Sequence, residues 1–228
     1  MNIIARLTAF LSFLIMVQYA NAAGNSVYVD QIGTGSAVSF TQTGSSNEIG
    51  NSTKAATING NNNTISIEQI GDGNISKLDI SGSGAVVTSS ITGNNNTVDI
   101  DCGAASGTCS TSSIVNTISG DGNIVTQKSD NLFDSIVNIL SNDNTVTINN
   151  TSTAVSGAKT VVDISGASDN SVSILQTGVA GVNGHDTALN IVGGLNIVDI
   201  KQGGTVDSKV TSNITGSSNN LTIKSNVP

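Results

Sequence analysis

The sequence predicts an all-β protein, a β-solenoid of about eight two-strand coils with parallel, in-register stacking and two facing sheets. Three observations carry this prediction. A short pattern recurs about every eleven residues, polar and apolar residues alternate within it, and the only proline is the last residue. Successive side chains of a strand point to opposite faces, so the alternation indicates strands with one buried face. A chain without internal proline can donate every backbone amide to sheet ladders.

The clearest copy of the pattern covers residues 189–202, in which a Gly-Gly turn joins two strands. The inner face of the second strand carries Asn196, Val198, Ile200 and Gln202. Asp199 and Lys201 lie between them and therefore take the outer face. An isolated pair of strands is only marginally stable in water, whereas stacked pairs bury continuous apolar columns. The unit therefore needs its neighbours, as the coil of a solenoid does.

Three positions mark the copies of this unit along the chain. A glycine begins the turn at Gly33, Gly44, Gly60, Gly71, Gly82, Gly93, Gly120, Gly166, Gly178, Gly193 and Gly216. An asparagine opens the next strand at Asn47, Asn63, Asn74, Asn96, Asn123, Asn144, Asn170, Asn196 and Asn219. Most copies have isoleucine two residues before the turn glycine, and five have glutamine: Gln31, Gln42, Gln69, Gln176 and Gln202. We expect the glycines to set the corners and the stacked amides to form structural ladders.

An antiparallel β-sandwich is the alternative architecture, since it also uses short strands about 8–12 residues apart. The strands of a sandwich differ from one another, and their turns need not repeat one formula. Here Gly-x-x-Asn recurs, and identical side chains meet in register only when the strands stack in parallel. The repeat therefore favours the solenoid.

The first 22 residues have the pattern of a secretory signal peptide. Arg6 precedes an apolar run over residues 7–17, and Ala20-Asn21-Ala22 fits a cleavage site. A membrane anchor is the alternative, but the run is well short of the ~20 residues that span a bilayer, and no later stretch is apolar enough. We expect a signal peptide over 1–22, a single repeat domain over 23–228, and secretion of the mature chain to the cell surface or beyond.

Four steps of the repeat are longer than the others and predict loops extruded at corners of the solenoid. They cover residues 48–57, 102–109, 151–158 and 179–185. In an exported protein, Cys102 and Cys109 are expected to form a local disulfide. A metal site is the alternative, but two thiols without a nearby histidine supply only half of one.

Charge and the supply of catalytic residues argue against several functions. Sixteen acidic residues against eight basic ones give a net charge of −8, which disfavours a nucleic-acid partner. The single histidine, His185, falls in a predicted surface loop, so a histidine-dependent site would rest on it alone. Asp79, Asp99 and Asp199 recur beside core aliphatic residues, but their spacing predicts the outer face. Turns such as 72–74 have the chemistry of tight reversals without an EF-hand pattern, so we expect no enzyme activity, cofactor or metal site.

A more specific signature lies in the polar residues of the repeat. Residues 31–36, 42–47 and 69–74 begin with Gln-x-Gly, and Asn63, Asn170 and Asn196 are each followed six residues later by glutamine. These segments resemble the curlin repeat, Ser-x5-Gln-x-Gly-x2-Asn-x5-Gln, and the resemblance covers nearly all of residues 25–225. Curlins are the subunits of curli, the extracellular amyloid fibres of bacterial biofilms. The resemblance implies a role in adhesion and biofilm matrix, with copies of the chain itself as partners and with nucleating and export factors of a curli-type system.

The open edges of a solenoid suggest how such a subunit would work. Without polar caps, each end is a template for another copy, so we expect a secreted structural subunit that assembles end to end by β-strand addition. The alternative hypothesis is a monomeric β-solenoid that serves as an adhesin or stalk and displays its corner loops. A third hypothesis, a carbohydrate-active β-helix enzyme, predicts activity that is sensitive to substitution of the outward aspartates.

Overall fold

The computed structural model describes residues 3–7, 14–20, 24–32, 37–51, 56–60, 62–82, 85–103, 113–129, 133–152, 158–178 and 184–226. Over these residues the protein is an all-β parallel solenoid of two sheets, with no helix. This confirms the predicted fold class. The count of about eight coils stays a prediction.

The strands, numbered in chain order, divide between the two sheets. Sheet A contains eleven strands: β1 (Ile3–Leu7), β3 (Ser26–Ile32), β5 (Glu48–Ile49), β6 (Ala56–Asn59), β8 (Ile75–Lys77), β10 (Thr97–Ile100), β12 (Ile124–Ser129), β14 (Thr145–Ser152), β16 (Ser171–Gly178), β18 (Ile197–Gln202) and β20 (Asn220–Ser225). Sheet B contains nine strands: β2 (Leu14–Ala20), β4 (Ala37–Thr43), β7 (Thr64–Ile70), β9 (Val86–Thr92), β11 (Ser113–Ser119), β13 (Phe133–Ile139), β15 (Ala158–Ser165), β17 (His185–Val192) and β19 (Ser208–Thr215).

The chain winds from one sheet to the other and back, so each strand pairs with strands one coil away. All of these pairings are parallel, and equivalent residues meet: Val146 pairs with Val172, and Val172 with Val198. Because the side-chain period of a strand is two, this register keeps every inward position facing inward through the stack. Valine and isoleucine fill these positions because β-branched side chains pack well on a pleated surface.

The core is a thin layer between the two inner faces. Val198 and Ile200 are 1% and 0% exposed, and Asp199 and Lys201 lie on the outer face, as the alternation predicts. Burying each such aliphatic side chain stabilises the fold by about 1.5–3 kcal/mol relative to leaving it in water. The apolar columns therefore stabilise the packing of the two sheets and the stacking of successive coils.

The two corners of the coil differ in kind. The tight corner, which leads from sheet B to sheet A, is a short Gly-x-x-Asn turn in most coils, as at 71–74, 93–96 and 193–196. The variable corner leads from sheet A back to sheet B and has no common length. The predicted loops at 102–109 and 179–185 begin at the variable corner, whereas the first two residues of the loop predicted at 151–158 belong to β14. Most residues of all three loops lie outside the described ones.

The predicted corner loop at 48–57 is wrong in its placement. Strands β5 and β6 both pair with β3, because Val27 lies opposite Ile49 and Val29 lies opposite Ala56. Only Tyr28 separates these two pairings along β3, so the insertion interrupts a sheet A strand. The stack survives because Ala56 and Ile58, 1% and 0% exposed, rejoin the inner columns after it.

Strands β1 and β2 fall within the residues predicted to be a signal peptide. Their backbones pair with β3 and β4, from Ile3 opposite Val27 and from Leu14 opposite Ala37. Cleavage after Ala22 stays a prediction. No helix of the described residues has the length and apolar character needed to cross a membrane.

Candidate functional site: polar ladders and an open edge

An asparagine column runs along the inside of the tight corner. The side-chain Oδ1 of Asn74 accepts from the backbone N–H and the Nδ2 of Asn96, at 3.0 Å each. The same pair of bonds joins Asn96 to Asn123, at 2.9 and 3.1 Å. The column continues, coil after coil, through Asn25, Asn47, Asn74, Asn96, Asn123, Asn144, Asn170, Asn196 and Asn219.

The second amide hydrogen ties several members of the column to the glycine turns. The Nδ2 of Asn96 donates to the carbonyl oxygen of Gly120 at 2.7 Å, and that of Asn74 donates to Gly93 at 2.7 Å. Both asparagines are 0% exposed, so water cannot replace these partners. A hydrogen bond adds about 0.5–1.5 kcal/mol, but a buried group left without its partner costs about 1–3 kcal/mol. The column therefore selects one register of stacking.

Asn63 does not belong to this column. It precedes β7 in sheet B, so its neighbour one coil on is Ala85, whose backbone N–H donates to Asn63 Oδ1 at 3.1 Å. Its Nδ2 donates to the carbonyl oxygen of Asn59 at 3.1 Å. Of the asparagines predicted to form ladders, the structure brings all the others into one column and places Asn63 in the opposite sheet.

The predicted glutamines form two separate pairs. In sheet B, Gln42 Nε2 donates to Gln69 Oε1 at 2.9 Å, and in sheet A, Gln176 Nε2 donates to Gln202 Oε1 at 2.9 Å. All four are buried. The backbone of Gln31 pairs with that of Ile58, and its side chain lies outside the described residues. The glutamines therefore add two local polar clusters rather than one continuous ladder.

The cluster around Gln176 includes the single histidine. His185 is 0% exposed, with Nδ1 2.9 Å from Ser208 Oγ and Nε2 3.0 Å from the carbonyl oxygen of Thr177. The prediction of a surface-loop histidine is therefore wrong. The loop ends at Gly184, and His185 takes the first inward position of β17, two residues before Thr187. The period-two alternation from His185 to Ile191 was the signal in the sequence that could have indicated this.

The turn glycines adopt backbone conformations that other residues avoid. The φ angle is positive at Gly44, Gly60, Gly71, Gly82, Gly93, Gly120, Gly166, Gly178, Gly193 and Gly216, and Gly33 lies outside the described residues. At Gly71, with φ of 118°, a Cβ atom would also overlap the carbonyl oxygen of Gly93 in the next coil. Such positions need glycine both for their φ angle and for the close approach of stacked turns.

A second ladder on the outside of the tight corner was missed by sequence reasoning. The carboxylate Oδ1 of Asp72 accepts from the backbone N–H and the hydroxyl of Ser45, at 2.7 Å each. Side-chain oxygens of the next coils accept from backbone N–H groups in the same way, at Asn94, Asp121 and Asn142. The hydroxyl of Ser45, and then its backbone N–H, hold the pKa of Asp72 below its ordinary value. The signal was a short polar residue directly after the turn glycine.

Two of the outer aspartates lie close to lysines on the same face. Asp99 lies 3.7 Å from Lys77 and Asp199 lies 3.1 Å from Lys201, all on the outer face. The described residues contain no group of three or more His, Cys, Asp or Glu side chains placed to hold a metal ion. Cys102 is buried, and Cys109 lies outside the described residues, so the disulfide between them stays a prediction.

The last coil ends in an open sheet edge. Within the described residues, β19 and β20 are the terminal strands of sheets B and A, and neither has a strand on its outer side. Leu221 and Ile223 occupy the positions of Val198 and Ile200 but are only partly buried. A groove of about 380 Å³ lies between the two edge strands, from Ser212 to Leu221. The end of the stack therefore presents backbone groups and core side chains together.

Comparison with protein-family models, with curated proteins and with solved structures gives no match to this chain.

Proposed function

We propose that the protein is a secreted structural subunit of an extracellular, amyloid-like fibre of the curli type, which assembles end to end by β-strand addition. The observation that carries the proposal is the open edge of β19 and β20 within the described residues. An edge with unpaired backbone groups and uncovered apolar side chains is a template for another chain. The mature chain, of about eight coils, would act through this edge and not through catalysis.

The first coil of the mature chain, which contains Asn25 and β3, has the residues needed to continue the stack. If Asn25 of a second copy sits above Asn219, then Val27 and Val29 of that copy cover Leu221 and Ile223. Because inward and outward side chains alternate along β3 and β20, this pairing register extends the asparagine column and the apolar columns at once.

The charges on the outer face favour the same junction. Lys224 pairs in register with Lys201, so two like charges are neighbours at the end of sheet A. In the proposed junction, Asp30 of the second copy lies over Lys224. Growth requires residues 1–22 to leave β3 and β4, which the predicted cleavage after Ala22 would accomplish. Secretion, adhesion, matrix formation and curli-type nucleating and export factors belong to the same proposal.

The alternation of backbone bonds in β20 supplies a sharp test. Asn219 and Ser225 direct their carbonyl oxygens to β18, accepting from Ile197 and Gly203 at 2.8 and 3.0 Å. The even-numbered residues of β20 therefore turn their N–H groups to the free edge. Thr222→Pro removes one of these outward donors and no bond within the chain, and Thr222→Ala is the matched control that keeps it.

Purified mature protein at neutral pH is followed by dye fluorescence, electron microscopy and fibre diffraction. The wild type and Thr222→Ala are expected to grow filaments with a reflection near ~4.8 Å. Thr222→Pro is expected to stay monomeric with the same circular dichroism. Wild-type protein that stays monomeric, or Thr222→Pro that grows like the wild type, would reject the proposal. Persistent monomers would favour the monomeric adhesin or stalk.

A further inference from the structure

Residues of alternating charge stand in register at one position of four adjacent strands in the C-terminal half of sheet B. Four residues lie in register on adjacent strands, at the same position of β13, β15, β17 and β19: Asp134, Lys159, Asp186 and Lys209. Lys159 is exposed, and the side chains of Asp186 and Lys209 are 30% and 71% exposed, with 3.3 Å between them. The same column in the preceding coils carries no charge, at Ala37, Thr64, Val86 and Ser113.

This column is complementary to itself when reversed. Read in one direction it is acid, base, acid, base, and in the other direction it is base, acid, base, acid. Two copies laid face to face with opposite axes would place Lys159 opposite Asp186 and Lys209 opposite the position of Asp134. The two-fold axis of that arrangement runs along the strands, between β15 and β17. Parallel copies would instead set this column against uncharged residues at the far side of the face, such as Ser165 and Val192.

The neighbouring columns tolerate the same two-fold axis. Val161 would face Ala188, and Ser165 would face Val192, which is 45% exposed. Asp163 would face Asn190 and not a second carboxylate. Asp163 already accepts from Ser165 Oγ at 2.8 Å and from Asn190 Nδ2 at 3.3 Å within its own chain. The antiparallel arrangement therefore brings no like charges together, in a chain whose net charge of −8 would repel most other side-by-side contacts.

The size of the face indicates when the contact matters. Four strands at ~4.8 Å and four outward residues at ~6.8 Å cover roughly 500 Å² on each copy. The ~1,000 Å² buried in total is below the ~1,200 Å² of a stable pair, so two free subunits would associate weakly. A filament repeats the face once per subunit, and linked contacts add through effective concentration.

We propose that filaments of this protein pair side by side, with opposite directions, through the outer face of β13, β15, β17 and β19. The partner is a second copy of the same chain. This inference rests on the proposed fibre function, because pairing becomes stable only when subunits are joined end to end. It adds a side-by-side interface to the end-to-end one. The paired filament then has no net direction, because its two filaments run in opposite directions.

A charge-swap series tests the antiparallel match. Lys159→Glu sets two carboxylates against each other, and Asp186→Lys sets two ammonium groups against each other, so filaments of either variant are expected to be single. Mixing separately grown filaments of the two variants restores opposite charges at all four facing pairs of residues. It should therefore restore pairing between unlike filaments. The double variant Lys159→Glu/Asp186→Lys should pair with itself. Lys77→Glu makes the same charge change on sheet A and should pair like the wild type.

The readouts separate the two proposals. Growth rate by dye fluorescence reports end-to-end addition and should be the same for all variants, whereas filament width by electron microscopy reports pairing. We expect the paired fraction to fall about tenfold or more in each single variant and to recover in the mixture. Equal widths in all samples, or single variants that do not recover on mixing, overturn the lateral interface while growth stays intact.

Failure of the fibre proposal has its own signature, since wild-type protein would then form no filaments. The same variants are then compared as soluble chains by sedimentation at high concentration. Association of Lys159→Glu with Asp186→Lys, and of neither with itself, supports the interface. The absence of any such association overturns it.

Discussion

Two fully buried asparagines in this solenoid have opposite surroundings. Asn96 and Asn116 are both 0% exposed. The Oδ1 of Asn96 accepts two bonds from Asn123, and its Nδ2 donates to Asn74 and Gly120. Neither amide atom of Asn116 has a hydrogen-bond partner among the described residues. Residue type and burial are the same, so the difference comes from the residues one coil above and below.

The register explains the contrast. Asn96 stands between Asn74, whose Oδ1 accepts a bond from its side chain, and Asn123, whose backbone N–H and Nδ2 donate to it. Asn116 stands between Val137, which has no polar group in its side chain, and Ser89, whose hydroxyl has no hydrogen-bond partner among the described residues. Atoms of Ser89, Gln127 and Ser129 in the same part of the core also lack partners among the described residues. Repetition in register therefore turns a buried amide from a destabilising group into a stabilising one.

The largest expected effect is the loss of a ladder member. Asn96→Leu keeps a side chain of similar length but leaves the backbone N–H and the Nδ2 of Asn123 without their acceptor and the carbonyl oxygen of Gly120 without a donor. Asn74 keeps the backbone N–H of residue 96 as a donor. Three buried groups at about 1–3 kcal/mol each predict destabilisation by at least about 3 kcal/mol. Thermal and urea denaturation of freshly purified monomer measure it. A loss below about 1 kcal/mol would contradict the view that the column selects the register.

The inner face could be predicted from the sequence because its cause is local. Val198 and Ile200 point inward and Asp199 outward because side chains alternate along a strand, and only one phase buries the aliphatic pair. The positive φ angles of the turn glycines follow from similarly local chemistry. These features need no knowledge of which coil lies above which.

The membership of each column could not be predicted in the same way. Asn63 and Asn74 have the same local pattern, but Asn63 opens a strand of sheet B and so misses the ladder. The insertion after Ile49 interrupts a strand and not a corner, which no local signal distinguishes. His185 was placed in a loop because the loop was taken to end one residue too late. The errors at Asn63 and Ile49 concern stacking between coils, which depends on residues about 20 to 27 positions apart. The error at His185 is one of loop length, which the local alternation does correct.

The second expected effect has the opposite sign to the first. Asn116→Val removes two buried polar atoms without partners and matches Val137, its neighbour in the column. The removed desolvation penalty predicts a gain of about 1 kcal/mol or more, reduced by any imperfect packing of the new side chain. Paired melting curves of Asn116→Val and Asn96→Leu give the comparison directly. A clear loss of stability in Asn116→Val would mean that Asn116 has partners after all, such as buried water.

The smallest expected effect concerns the exposed ladder on the outside of the tight corner, in contrast to the buried asparagine column on its inside. The pKa of Asp72 is lowered by the hydroxyl and backbone N–H of Ser45. A lowered pKa in the folded state stabilises the fold above the unfolded value of about 3.9, and this contribution is lost as the pH falls through the folded value. The wild type should therefore melt slightly above Asp72→Asn near pH 6, and the gap should narrow as the pH falls below the unfolded value of about 3.9. Ser45→Ala should narrow the gap at pH 6 without abolishing it, since the backbone donor remains. An equal gap above and below the unfolded pKa would show that the carboxylate charge is not what the turn ladder uses.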